Sequence, residues 1–290
     1  LTSKTEDIEN TTGGQLTSGG SLALTAKTKI LNQDTDSMIS SDGDLSLSSN
    51  FFENRDESQV VSQGGFDATA IDTFFNDGSI YSKGNSNITS RVFKNTGSFS
   101  SDEDMTLTIG LGGVDNTGTI QSNMNLTLDS QAGIDNTGEI LSVQTAIVTA
   151  EQTIANRGGT IKANADLTLT SKTGDIENTT GGQLTSGGDL ELNGSAFNNT
   201  GELSSDSDMS LIFGKGGVDN GGTIQSNADL KVDSQSEIYN TGKISSVQTA
   251  VMTAEQNIIN EGGTIESNTG LILTSKTEDI ENTTGGQLTS

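Results

Sequence analysis

The chain has 290 residues, no Cys, His, Pro or Trp, and 39 acidic against 14 basic side chains, a net charge of −25. That composition excludes disulfides, zinc centres and His-dependent nucleophilic catalysis, and it opposes charge-driven binding to nucleic-acid phosphates. With 30% hydrophobic and 4% aromatic residues and no apolar run near the roughly 18 residues of a membrane span, it reads as a disordered acidic chain unless a repeat supplies the core.

A repeat runs from end to end. An apolar residue is followed two positions later by Asn fourteen times. In chain order the pairs are Ile8/Asn10, Ile30/Asn32, Phe52/Asn54, Phe74/Asn76, Phe93/Asn95, Val114/Asn116 and Ile134/Asn136. They continue as Ile154/Asn156, Ile176/Asn178, Phe197/Asn199, Val218/Asn220, Ile238/Asn240, Ile258/Asn260 and Ile280/Asn282. Spacings between successive Asn lie between 19 and 22 residues, with a mean near 21. Each unit reads Φ-x-N-x-G-x-Φ-x-S-x-x-[DN]-Φ-x-Φ, where Φ is apolar. Alternating pairs such as Leu45/Leu47, Leu126/Leu128 and Leu190/Leu192 are strand-like, and the Asn-Thr-Gly and Gly-Gly steps are turn-like because both residues tolerate positive φ. No segment shows a capped 3.6-residue period. The pattern predicts an all-β fold, a parallel β-helix of about 14 coils of about 21 residues with three short strands each, as one continuous segment over 1–290.

Such a coil needs only a few inward apolar residues, which fits the low hydrophobic content. The repeated Asn is read as a ladder: a buried amide donates to the next coil and accepts from the previous one. The competing reading is glycosylation, since the acceptor tripeptide fits Asn10, Asn87, Asn125, Asn178, Asn193, Asn198 and Asn282. An unbroken ladder also accounts for the missing Pro, which has no N–H to donate.

Three further features stand out along the chain. Eight of the eleven aromatic residues lie between Phe51 and Phe99. Phe52, Phe74 and Phe93 take the inward position, whereas Phe51 and Phe75 have outward parity; with Tyr81, Arg55 and Arg91 they form a candidate binding patch. The plainer reading is a diverged repeat with a bulkier core. Acidic pairs precede the Leu-x-Leu strands, and Asp102, Asp104, Asp206 and Asp208 are weak Ca²⁺ candidates, against the plainer reading of solvated turn residues. Finally, residues 93–186 match 197–290 at an offset of 104 with 65 of 94 positions identical, so 93–196 and 197–290 are a duplication of five units. The segment TSKTxDIENTTGGQLTS occurs at Thr2–Ser18, Thr170–Ser186 and Thr274–Ser290.

Units such as Val218-Asp-Asn-Gly-Gly-Thr-Ile224 with Ala228-Asp-Leu-Lys-Val232, and Ile176–Leu184 with Gly188–Leu192, resemble the haemagglutinin repeats of filamentous haemagglutinin and of contact-dependent growth inhibition exoproteins. The resemblance spans essentially the whole chain. It implies a right-handed coil, export through an outer-membrane two-partner-secretion transporter, and a virulence-type adhesin at the bacterial cell surface. On this reading the chain is a slice of a longer solenoid and a rigid stalk that projects a distal active tip. The alternative is a lateral receptor-binding segment centred on 51–99, with a host-cell or bacterial receptor as partner. A polysaccharide-cleaving enzyme is the remaining option. It is set aside because no coil carries an insertion able to wall a cleft. No enzyme activity, cofactor or nucleic-acid partner is expected.

Overall fold

The computed structural model describes residues 1–290 and contains strands but no helix. It is a parallel β-solenoid of about 14 turns. A regular coil shows how the sequence builds it. Thr119–Ser122 carries one inward apolar residue, Ile120; Leu126–Ser130 carries Leu126 and Leu128; Ile134–Asn136 carries Ile134 and the repeated Asn. We call these the Ser face, the Leu face and the Asn face. Alternate side chains point inward on each, as the pleat requires.

Contacts cluster into two units, 1–134 with 138–144, and 135–137 with 145–290. In the first, the Asn-face positions Ile8, Ile30, Phe52, Phe74, Phe93 and Val114 pair in register. On its Ser face, Leu16, Ile39, Val60, Ile80, Phe99, Ile120 and Ile140 do the same. In the second unit the Asn-face series is Ile154, Ile176, Phe197, Val218, Ile238, Ile258 and Ile280. Its Ser face stacks Ile161, Leu184, Leu203, Ile224, Ile244, Ile265 and Leu288. Like residues meet because every coil returns to the same register, so a narrow interior is filled with few apolar residues.

Two details of the coil have physical causes. The strands of the coils fall into two sheets. In several coils the Leu and Asn faces are one bent strand, as in Phe66–Asn76 and Met209–Asn220. A register shift at the bend, between Ser90 and Val92 or between Gly194 and Ala196, turns the corner without breaking the ladder. The second concerns glycine. The Gly of the Asn-Thr-Gly corners, as in Gly97, Gly118, Gly138 and Gly242, does not have positive φ; that conformation belongs to residues such as Thr180, Gly181 and Gly217, and to Gly158 and Gly262 of the Asn-Arg-Gly and Asn-Glu-Gly corners. A Cβ on Gly118 or Gly222 would instead lie 2.1–2.2 Å from the carbonyl oxygen of Gly97 or Gly201 in the preceding coil. Close backbone approach, not turn geometry, selects glycine there.

Candidate functional site

The Asn face carries the most regular side-chain array. In the first unit Asn10 Nδ2 donates to Asn32 Oδ1, and Asn32, Asn54, Asn76 and Asn95 each donate to the next, at 2.7–2.9 Å. The run reaches Asn116, which is fully buried and accepts from Asn95 at 2.8 Å. The Asn116 amide donates in turn to its own corner carbonyl, Gly118, at 3.2 Å and to the Glu139 carbonyl one coil on at 3.0 Å. In the second unit the same chain runs from Asn136 through Asn156, Asn178, Asn199, Asn220, Asn240 and Asn260 to Asn282. A carbonyl of the following coil is a regular second acceptor, Thr119 for Asn95 and Thr223 for Asn199. Both amide functions are satisfied without water in a buried environment, where an unpaired amide is costly. The amides of the internal ladder Asn, Asn116 and Asn178 included, are buried, which closes them to glycosylation of the folded chain.

A second array was not assigned from the sequence, although the Ser of the repeat marks it. Ser62, Ser82, Ser101 and Ser122 are buried at the end of the Ser face. Ser122 Oγ lies 2.8 Å from the Glu103 carbonyl and 2.9 Å from that of Asn125. The hydroxyl ties one coil to the corner of another.

The acidic pairs line the corner between the Ser and Leu faces. Asp104 Oδ1 accepts from the backbone N–H and the side chain of Asn125 at 3.0–3.1 Å. Asp102 accepts from Tyr81 Oη at 2.6 Å and Asn123 Nδ2 at 3.0 Å. Asp206 accepts from Asn227 Nδ2, and Asp208 from the N–H of Asp229. In the second unit this becomes a staircase: Asp166, Asp189, Asp208 and Asp229 each accept the N–H one coil on. An open groove of about 590 Å³ beside it is lined by Asp189, Asp208, Asp229 and Lys231, but Lys231 pairs with Asp233 at 2.6 Å. These carboxylates act as caps on corner N–H groups, the role short acidic side chains take in turns.

The haemagglutinin-repeat pattern matches residues 2–49, 54–108, 95–170, 141–212 and 200–289. The chain belongs to the haemagglutinin-repeat family. No curated protein and no solved structure matches it. Haemagglutinin-repeat proteins are generally structural or adhesive rather than catalytic, and haemagglutinin repeats in a β-helix fit a surface adhesin or an exoprotein stalk. No helix of this chain is long and apolar enough to cross a membrane.

Within the haemagglutinin-repeat coils, the aromatic stretch divides between inside and outside. Phe52, Phe74 and Phe93 stack inward, with ring centroids 4.8 Å and 5.4 Å apart, and Phe99 packs against Phe74 and Phe93. Phe51 and Phe75 are half-buried on the outer side of the Asn face. The Arg55 guanidinium sits 4.8 Å over the Phe75 ring and also bonds Glu53 at 2.9 Å. Arg91 pairs with Asp72. Tyr81 does not join this group. It lies on the Ser face, paired with Val61 and Ser100, so the five patch residues fall on two faces. What the parity argument missed is the bend beside the Asn face, where Ile71 and Leu111 are 68% and 76% exposed. Periodicity is silent there because the bend carries extra residues outside the two-residue alternation.

The hydrogen bond to Asp102, then partial desolvation and the carboxylate charge, raise the Tyr81 phenol above its ordinary pKa. The hydrogen bond to Glu261 raises that of Tyr239 in the same way, with partial desolvation and neighbouring carboxylate charge adding to it.

Proposed function

We propose that this chain is a rigid stalk segment of a secreted bacterial surface adhesin or contact-dependent inhibition effector, which holds a distal active tip away from the cell. The carrying observation is the in-register Asn ladder of each unit, in which the internal coils repeat the same bonds. Such an array has no privileged site; its output is length and stiffness. Family membership supports export through an outer-membrane two-partner-secretion transporter and a final position at the cell surface. The test is an in-register deletion of residues 93–196 from the native exoprotein. Five coils at the strand spacing of about 4.8 Å predict a reach shorter by roughly 24 Å with adhesion or inhibition chemistry intact. Loss of the β signal by circular dichroism would end the modular reading.

A second reading is favoured by one observation: half-buried Phe51 and Phe75 share an outer face, next to the bend that exposes Ile71 and Leu111. Exposed apolar groups rimmed by charge mark interaction surfaces. On this reading the segment 51–99 binds a receptor sideways. Replacing Phe51 and Phe75 with Ser then abolishes target-cell adhesion while the fold persists; unchanged adhesion rejects it.

A further inference from the structure

The ladder Asn residues are not chemically equivalent. Of the fourteen, only Asn220 is followed by Gly; the others precede Thr, Gln, Arg, Asp or Glu. An Asn-Gly step is the most open to cyclisation, because glycine has no Cβ to screen its nitrogen from the Asn side-chain carbonyl. The chain has one other such step, Asn193-Gly194, within Leu190–Asn199.

The folded coil ties up both groups that would react at Asn220. The Gly221 N–H donates to the Asn199 carbonyl at 2.8 Å. Asn220 Oδ1 accepts from Asn199 Nδ2 at 2.7 Å. Asn220 Nδ2 donates to Asn240 Oδ1 at 2.8 Å and to the Gly222 and Lys243 carbonyls at 3.2 Å. The side chain is fully buried, away from the water that hydrolysis needs. Cyclisation in place requires all of these bonds to open together. Asn193 is held far less: it is half-buried, and its Nδ2 bonds Glu191 Oε1 at 2.8 Å.

We propose that Asn220 is a deamidation site that folding protects, and that its reaction in the unfolded chain bars refolding. The Gly221 nitrogen attacks Asn220 Cγ. The new N–Cγ bond displaces ammonia, which carries off the proton from that nitrogen, and a succinimide remains. Water then opens either imide bond, giving Asp or isoaspartate; nothing is oxidised or reduced. An ionised carboxylate at position 220 has no N–H for Asn240 Oδ1 or for the Gly222 and Lys243 carbonyls, and burying its charge unpaired is costly. Isoaspartate adds a carbon to the main chain, so the coil loses register with its neighbours. At Asn193 the same reaction leaves a carboxylate beside Glu191, with no ladder to break. Non-local pairing is slow to form, so an unfolded chain has time to react, and its unfolding becomes irreversible.

Peptide mass spectrometry and refolding of the 290-residue chain test this. The chain is held at mildly alkaline pH, either folded in buffer or unfolded in guanidinium chloride, and then digested with trypsin. Cleavage after Lys172, Lys215 and Lys231 puts Asn193 and Asn220 in separate peptides. Asn220 is expected to lose its amide at least roughly a hundredfold more slowly in the folded chain, since the ratio follows the population of the opened coil. On dilution from denaturant, the refoldable fraction should fall in step with the Asn220 amide. Prolyl isomerisation and disulfide exchange cannot mimic that loss, because the chain has no Pro and no Cys. Gly221→Thr copies the Asn116-Thr117 corner, and a Cβ there meets nothing closer than 3.6 Å; this variant should fold and keep its refolding yield. Equal deamidation of Asn220 in folded and unfolded chains overturns the proposal, as does full refolding of chains deamidated there. Asn220→Asp and Asn193→Asp, made directly, give a readout that needs no ageing. The first should lower the denaturation midpoint and the second leave it near the parent; equal midpoints also overturn the proposal.

Discussion

Asn199 Nδ2 donates to Asn220 Oδ1 at 2.7 Å, two residues 21 apart in sequence and one coil apart in space. Asn199 also accepts from Asn178 and donates to the Thr223 carbonyl. Replacing it with Leu takes the ladder partner from one Asn178 N–H, whose amide keeps its bond to the Glu202 carbonyl, and from the Asn220 oxygen. Each unpaired buried group costs about 1–3 kcal/mol, so a loss of about 2–6 kcal/mol is expected in urea unfolding, larger than for Asn282→Leu, where the side chain is exposed.

Glycine tests the coil spacing. A methyl on Gly222 would lie 2.2 Å from the Gly201 carbonyl oxygen, whereas nothing lies within 4 Å of one on Gly20. Gly222→Ala is expected to cost roughly 1–3 kcal/mol or more, as overpacking does. Gly20→Ala should fall within about 0.5 kcal/mol of the parent. Thermal unfolding of the pair checks this, and equal stabilities would contradict the close approach.

The inward aromatic column should dominate the first unit. Phe74 is fully buried and touches the rings of Phe52, Phe93 and Phe99. Phe74→Ala leaves a cavity and is expected to cost about 3–5 kcal/mol. Ser90 is the opposite case: it is buried and its Oγ has no partner. Ser90→Ala removes an unsatisfied hydroxyl and should raise the denaturation midpoint.

The tyrosines give a pH signature. The chain has two Tyr and no Trp, so absorbance reports them cleanly. The hydrogen bond to Asp102 raises Tyr81 and that to Glu261 raises Tyr239. A phenol raised in the folded state contributes stability fully present below its ordinary value of about 10, and lost as pH rises through the higher folded value. Both should titrate above model phenol, and Asp102→Asn should bring Tyr81 alone back toward it. A Tyr81 midpoint unmoved by that change would exclude the bond as the cause.

Much of the fold was legible because a 21-residue period leaves few choices. Once Asn recurs two places after an apolar residue, Ile8 and Ile30 must fill equivalent sites, and a buried amide such as Asn95 is satisfied by its copies above and below. The alternation did not show the carbonyls that share the work, such as Gly118 and Glu139 on the Asn116 amide, because they sit on the corner and on the next coil. The candidate sites were less legible, because they depend on neighbours about 20 residues away. Asp104 and Asp208 were weak metal candidates beside the plainer reading of turn residues, and no local pattern shows the N–H groups of Asn125 and Asp229 that they accept from. Arg55 reaches Phe75 from the preceding coil. Tyr81 separates from Phe51 because a corner intervenes, and no alternation pattern counts corners.

The sequence by itself determined the all-β repeat, its coil length, the inward residues and the Asn column, since each follows from a local period. Only the tertiary structure decided that two strands of a coil merge around a bend, that the corner glycines answer to the carbonyl one coil back, and that the ladder amides share their N–H groups with a carbonyl of the following coil. Those properties arise between coils, where backbone meets backbone and each hydrogen bond has a direction that no single repeat contains.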